Sequence, residues 1–140
     1  MKNRLLFAVA GALIFASCNS STKESPKSES GLVTDPLQSV NELVGKTVAY
    51  QYGESIYHVT FDTDSTMHWE AMAGDEKGAL EHETYVGEFF EPDKFFISWG
   101  EANGINVSQV LDFKKGKVYN HLVRERKASR GDGQIKIISK

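Results

Sequence analysis

The segment KFFISWGEANGINVSQVLDF, residues 94–113, constrains the fold more than any other part of this 140-residue chain. It reads as two β-strands around a tight turn. Side chains alternate along a strand, so Phe95, Ile97, Trp99 and Glu101 share one side, and Ile105, Val107, Gln109 and Leu111 share another. Ala102-Asn103-Gly104 supplies an Asn-Gly pair that accepts the positive φ of a hairpin turn. Pairing Glu101 with Ile105 sets Trp99 opposite Val107 and Phe95 opposite Leu111, giving one apolar face that ends in a lone acid.

The same period of two recurs on both sides of this hairpin. Val48, Tyr50 and Tyr52 align in residues 47–52; Tyr57, Val59 and Phe61 align in 55–61; Met67, Trp69 and Ala71 align in 66–71. Pairing Val59 with Trp69 joins two of these rows and leaves His58, Thr60, His68 and Glu70 on the opposite face. Residues 79–90 are strand-like, with Glu81, Glu83, Tyr85 and Phe89 of one parity. Residues 117–124 form a strand of open parity, Val118 and Leu122 competing with Tyr119, His121 and Val123 for the inner side. Residues 125–133 read as a polar, basic loop, and 134–139 as a last short strand. Before the strands, Leu37 to Val44 reads as a short helix, with Asp35 as N-cap, Pro36 at the first helical position and Gly45 closing it. About eight antiparallel strands in roughly 100 residues most economically close on themselves, which removes exposed edges.

The N-terminal third has a different character. Lys2 and Arg4 precede the apolar run Leu5–Ala16, so residues 1–17 read as an export signal, too short to span a bilayer comfortably. Phe15-Ala16-Ser17-Cys18 resembles the bacterial lipobox, in which the cysteine becomes the lipidated first residue. Cys18 is the single cysteine, which excludes an intramolecular disulfide and any Cys-cluster zinc or iron–sulfur site. Residues 18–36 are a Ser-rich tether whose composition cannot bury enough apolar surface to offset ordering entropy. The expected organisation is a signal peptide over 1–17, a tether over 18–36 and one domain over 37–140. The protein would then be exported and held by a lipid anchor on Cys18 in a bacterial envelope, by expectation at the outer membrane. The formal net charge of −3 becomes −5 once Lys2 and Arg4 are removed, which argues against a nucleic-acid partner.

Val44-Gly45-Lys46, Tyr50-Gln51-Tyr52, Phe96-Ile97-Ser98-Trp99-Gly100-Glu101 and Val110-Leu111-Asp112-Phe113, in that order, resemble the MoaF-like proteins and the related bacterial phenolic acid decarboxylases. The resemblance implies an all-β fold, a small antiparallel calycin (lipocalin-like) barrel with an internal cavity. In the decarboxylases, the aromatic pair matching Tyr50 and Tyr52 grips the substrate carboxylate, and the acid matching Glu101 takes part in proton transfer. Those enzymes carry a further arginine before the Ser-Trp-x-Glu strand. Residues 70–98 here hold none, Lys77 being the nearby cation, so the resemblance implies a fold more firmly than a decarboxylation.

The expected site is therefore a cavity for a small, partly apolar ligand, built from Tyr50, Tyr52, Trp69, Trp99 and Glu101. Tyr57, Tyr85, Phe89 and Phe95 are further aromatic candidates for its lining. An acid beside Trp99 has its pKa raised by desolvation, so Glu101 is the candidate acid/base if the cavity hosts lyase or isomerase chemistry. A third alternative is a solid barrel with a structural role in the envelope. His58, His68 and Glu70 bring two imidazoles and a carboxylate to neighbouring strands, the donor types zinc takes, but on the polar face; no metal or cofactor is expected. Ser98 lies in no nucleophile motif. The basic run Arg124, Arg126, Lys127 and Arg130 would suit anionic lipid head groups.

Overall fold

The computed structural model describes residues 35–139; the expected signal peptide over 1–17, the expected lipidation site Cys18 and nearly all of the expected tether lie outside the described residues. Eight strands follow in order: β1 Thr47–Tyr52, β2 Ser55–Phe61, β3 Thr66–Ala73, β4 Leu80–Glu91, β5 Lys94–Gly100, β6 Asn106–Asp112, β7 Lys117–Arg124 and β8 Lys127–Ser139. Each pairs antiparallel with the next, and β8 pairs back onto β1, closing the barrel. Among the described residues every strand therefore has a neighbour on both sides, which removes the exposed edges an open sheet would carry.

The registers follow the apolar rows. Trp99 opposes Val107 and Phe95 opposes Leu111; Val59 opposes Trp69 and His58 opposes Glu70. The β5–β6 turn is closed by Glu101 N–H donating to the Ile105 carbonyl at 2.8 Å and Gly104 N–H donating to the Glu101 carbonyl at 2.9 Å. Gly104 takes φ +84°, the left-handed conformation an L side chain resists. Asn103 braces the turn twice, its Oδ1 accepting from Ile105 N–H at 2.9 Å and its Nδ2 donating to Glu101 Oε2 at 3.0 Å.

The barrel has a filled end and an open end. Val48, Phe61, Phe95, Leu111 and Val118 are fully buried at the filled end. Phe95 is the hub, its ring centroid 4.9 Å from Phe89, 6.1 Å from Phe61 and 6.4 Å from Tyr85. Edge-to-face and offset pairs of this kind add to the area that each ring buries. Leu43, also fully buried, belongs to the same cluster, with Leu37 and Val40 packed against it, so the segment before β1 closes this end.

That segment is not the expected helix over Leu37–Val44. It holds only a 3-10 turn, Val40–Glu42, with Ser39 in extended conformation before it. The reason is a competing backbone pairing. Leu37 N–H donates to Asp93 Oδ1 at 2.8 Å, and Asp93 N–H donates to the Leu37 carbonyl at 2.7 Å. Both polar groups of Leu37 are thereby committed to the β4–β5 turn, where Asp93 sits at φ +62°, and they are lost to a helical ladder.

Residues 125–133 also depart from expectation. The expected basic loop is instead a two-residue turn followed by the long strand β8. Glu125 and Arg126 adopt φ +47° and +67°, both left-handed as a type I′ hairpin turn demands. Every residue from Lys127 to Gln134 then pairs with β7. The open parity of β7 resolves in the same step: Val118 is buried, whereas Tyr119 and Val123 are exposed.

Candidate functional site

Above the filled end lies a cavity of about 420 Å³. One wall is aromatic and is dictated by alternation: β1 contributes Tyr50 and Tyr52, β2 Tyr57, β3 Trp69 and β5 Trp99. Tyr52 lies edge-on to Tyr57 at 6.3 Å, and Tyr57 edge-on to Trp69 at 5.8 Å, so the rings brace one another. Each of the five expected residues, Tyr50, Tyr52, Trp69, Trp99 and Glu101, lines this one cavity. The remaining aromatic candidates divide by depth. Tyr57 joins the wall, while Tyr85, Phe89 and Phe95 pack into the filled end.

The β7–β8 side of the cavity carries no ring. Asn120, Leu122, Ser129 and Gly131 come from β7 and β8. A side chain added at Gly131 would meet nothing within 4 Å. At Gly133 the reverse holds, since a Cβ would come within 2.7 Å of the Tyr52 ring and 2.5 Å of the Gln51 carbonyl. That glycine lets Tyr52 lie across β8. Gln109 forms part of the floor, its amide Nε2 donating to Tyr52 Oη at 3.2 Å and to Asn120 Oδ1 at 3.5 Å. Among the described residues its Oε1 is buried without a partner, and the residue is only 6% exposed.

Glu101 stands at the rim, partly buried, with two further carboxylates, Glu76 and Glu81, lining the same cavity. Desolvation raises the Glu101 pKa above the usual carboxylate value. The Glu81 and Glu76 charges push it the same way, while the Asn103 amide pulls it partly back. Among the described residues, the Trp99 indole nitrogen is buried with no partner in hydrogen-bonding geometry. Glu83, buried one alternation further along β4, is also raised, first by desolvation and then by Glu81 and Glu101. Glu76 accepts a 2.7 Å hydrogen bond from Tyr57 Oη, and burial with that bond lifts Tyr57 to about 12. Tyr50 and Tyr52 are raised too, chiefly by burial. The cavity's phenols are therefore neutral donors at ordinary pH and do not act as bases.

The sequence sets Glu81 on one parity with Glu83, Tyr85 and Phe89 without marking it as a site residue, and it carries no signal for Glu76 or for the unpaired acceptor of Gln109. On the outer face, His68 turns away from the expected trio with His58 and Glu70. Its Nδ1 lies 2.9 Å from both oxygens of Asp62, and its ring is 5.3 Å from His82. Ser98 donates to the Val107 carbonyl at 2.8 Å and pairs with Ser108 at 3.0 Å, so no base attends it.

The family model described as MoaF-like matches residues 44–136, most of the chain and the whole cavity wall. The chain belongs to the MoaF-like family. Within the solved structures, this MoaF-like barrel is similar to a Burkholderia vietnamiensis protein described as a candidate beta-lactamase. The two share 23% identity at a TM-score of 0.63, covering 69% of this chain and 95% of that one. At that identity the likeness speaks for the fold alone. A search of the curated proteins found no match.

Proposed function

We propose that this MoaF-like barrel is a binding module that holds a small, partly apolar ligand in its cavity, tethered to the envelope through a lipidated Cys18. The observation that carries the binding reading is the cavity itself. A barrel with a purely structural role gains stability by filling its interior, since each unfilled methyl-sized space costs on the order of 1 kcal/mol. Here about 420 Å³ is left open between five aromatic rings and a few polar groups, the make-up of a small-molecule site.

Both tryptophans of the chain line the cavity, so intrinsic fluorescence reports on it without labelling. Titration with the neutral dye N-phenyl-1-naphthylamine should quench that emission saturably at one dye per protein. Linear, non-saturating quenching would refute the binding reading. The anchor is tested separately: metabolic labelling with a fatty acid should mark the wild-type protein and not the Cys18→Ser variant, which should leave the membrane fraction.

A second reading has its own support in Glu101 at the cavity rim, whose pKa burial raises above the usual carboxylate value, the direction an acid/base group needs. Under it the cavity performs lyase or isomerase chemistry, with Glu101 as acid/base and the neutral tyrosines orienting the substrate. Once a turned-over compound is in hand, Glu101→Gln decides: retained turnover removes Glu101 from the mechanism.

A further inference from the structure

The charges around the cavity are lopsided. Glu76, Glu81 and Glu101 line it, and the one cationic side chain among the lining residues is Arg130. Arg130 opposes His121 in the β7–β8 ladder and is exposed. It thus has the opposite parity to Ser129 and Gly131, its neighbours on the cavity wall. No lysine lines the cavity. A carboxylate ligand entering here would meet repulsion and no fixed cationic partner.

A cation meets the reverse. Tyr52, Tyr57, Trp69 and Trp99 surround the space, and aromatic faces attract ammonium groups, the more so when desolvated. The carboxylates at the rim lower one another's tendency to ionise, and an incoming positive charge relieves that repulsion.

An independent observation lies at the floor. Gln109 Oε1 is a buried acceptor with no donor among the described residues, and such a group costs about 1–3 kcal/mol while it stays unpaired. Gln109 stands four residues along the chain from Ile105, the partner of Glu101, hence about 13 Å away along the strand at the usual rise per residue. One ammonium cannot serve both ends. Resting on the binding reading above, we propose that the ligand is an organic amine with two polar ends. Its ammonium sits among the rim carboxylates, an apolar or aromatic body lies between the rings, and a hydroxyl or N–H at the far end donates to Gln109 Oε1.

Four compounds of similar size separate these features: tyramine has both ends, phenethylamine lacks the far donor, 4-ethylphenol lacks the charge, and 3-(4-hydroxyphenyl)propionate reverses it. Tryptophan quenching and calorimetry on the wild-type barrel at pH 7 should rank tyramine first. It should bind at least tenfold tighter than 4-ethylphenol and severalfold tighter than phenethylamine, with no saturation by the propionate. Glu101→Gln and, separately, Glu81→Gln should weaken tyramine about tenfold and leave 4-ethylphenol unchanged. Gln109→Leu should erase the advantage of tyramine over phenethylamine. Equal or tighter binding of 4-ethylphenol or the propionate would overturn the amine proposal. So would absence of tyramine binding while N-phenyl-1-naphthylamine still saturates, and in both cases the binding reading survives. If neither dye nor amine binds, both fall.

Discussion

Replacing Gly131 with valine tests whether the cavity is open space that a ligand uses. The residue lies in β8 opposite Asn120, lines the cavity, and an added Cβ there meets nothing within 4 Å. Its backbone is not left-handed, so the substitution carries no conformational penalty. Two effects follow with opposite signs. Glycine within a strand is worse than a β-branched residue by about 0.5–1 kcal/mol, so folding stability should rise, by roughly 2–8 °C in a domain of this size. The three added carbons meanwhile take up apolar space otherwise open to a ligand. At about 0.8 kcal/mol per buried CH₂ the displaced contact is worth about 2.4 kcal/mol, close to a sixtyfold loss of affinity. Differential scanning fluorimetry reads the first effect and N-phenyl-1-naphthylamine titration the second. Unchanged dye affinity in a stabilised variant would move binding out of the cavity. A fall in melting temperature would mean that the wall at Gly131 is packed, and the reasoning would fail at its first step.

Phe95→Ala removes the hub of the filled end, where the ring is fully buried against Phe61, Tyr85 and Phe89; urea unfolding should show a loss of about 3–5 kcal/mol. Asp93→Ala deletes the acceptor for Leu37 N–H and leaves a non-glycine residue at φ +62°, a loss of roughly 1–3 kcal/mol that Asp93→Asn should largely avoid. Glu101, a carboxyl whose folded pKa lies above its unfolded value, binds its proton more tightly in the native state. Its contribution to stability is therefore full below the ordinary carboxylate range and is lost as pH rises through the raised value. Glu101→Gln should flatten that decline in a pH series of melting temperatures, and an unchanged slope would remove Glu101 from the account.

Most of the barrel was legible because its rows are apolar. β1, β2 and β7 begin and end where alternation places them, and the registers Val59–Trp69 and Trp99–Val107 follow from matching those rows. β8 was not legible over residues 127–133, for a physical reason. Its inward positions there are Ser129, Gly131 and Gly133, which face the open cavity and the Tyr52 ring, so they have no interior to fill and show no apolar alternation. The helix before β1 failed because local capping signals cannot register a clamp formed with Asp93, 56 residues away. The site was half legible. Tryptophan and tyrosine announce a wall by parity and size, whereas Glu76 enters from a loop and the solitude of Gln109 Oε1 exists only once its neighbours are placed.

The division between a filled end and an open end also separates two kinds of evolutionary and engineering freedom. The rings that hold the barrel together, around Phe95, lie at the end braced by Leu43 and the Leu37–Asp93 clamp. Glu76, Asn103 and Ile105 belong instead to the β3–β4 and β5–β6 connections at the other end. Rewriting those two connections would change the sign and shape of the entrance while leaving the interlocked rings untouched. The barrel is in this sense a receptacle with an interchangeable collar, and retargeting it to another class of small molecule calls for new turns before it calls for a new interior.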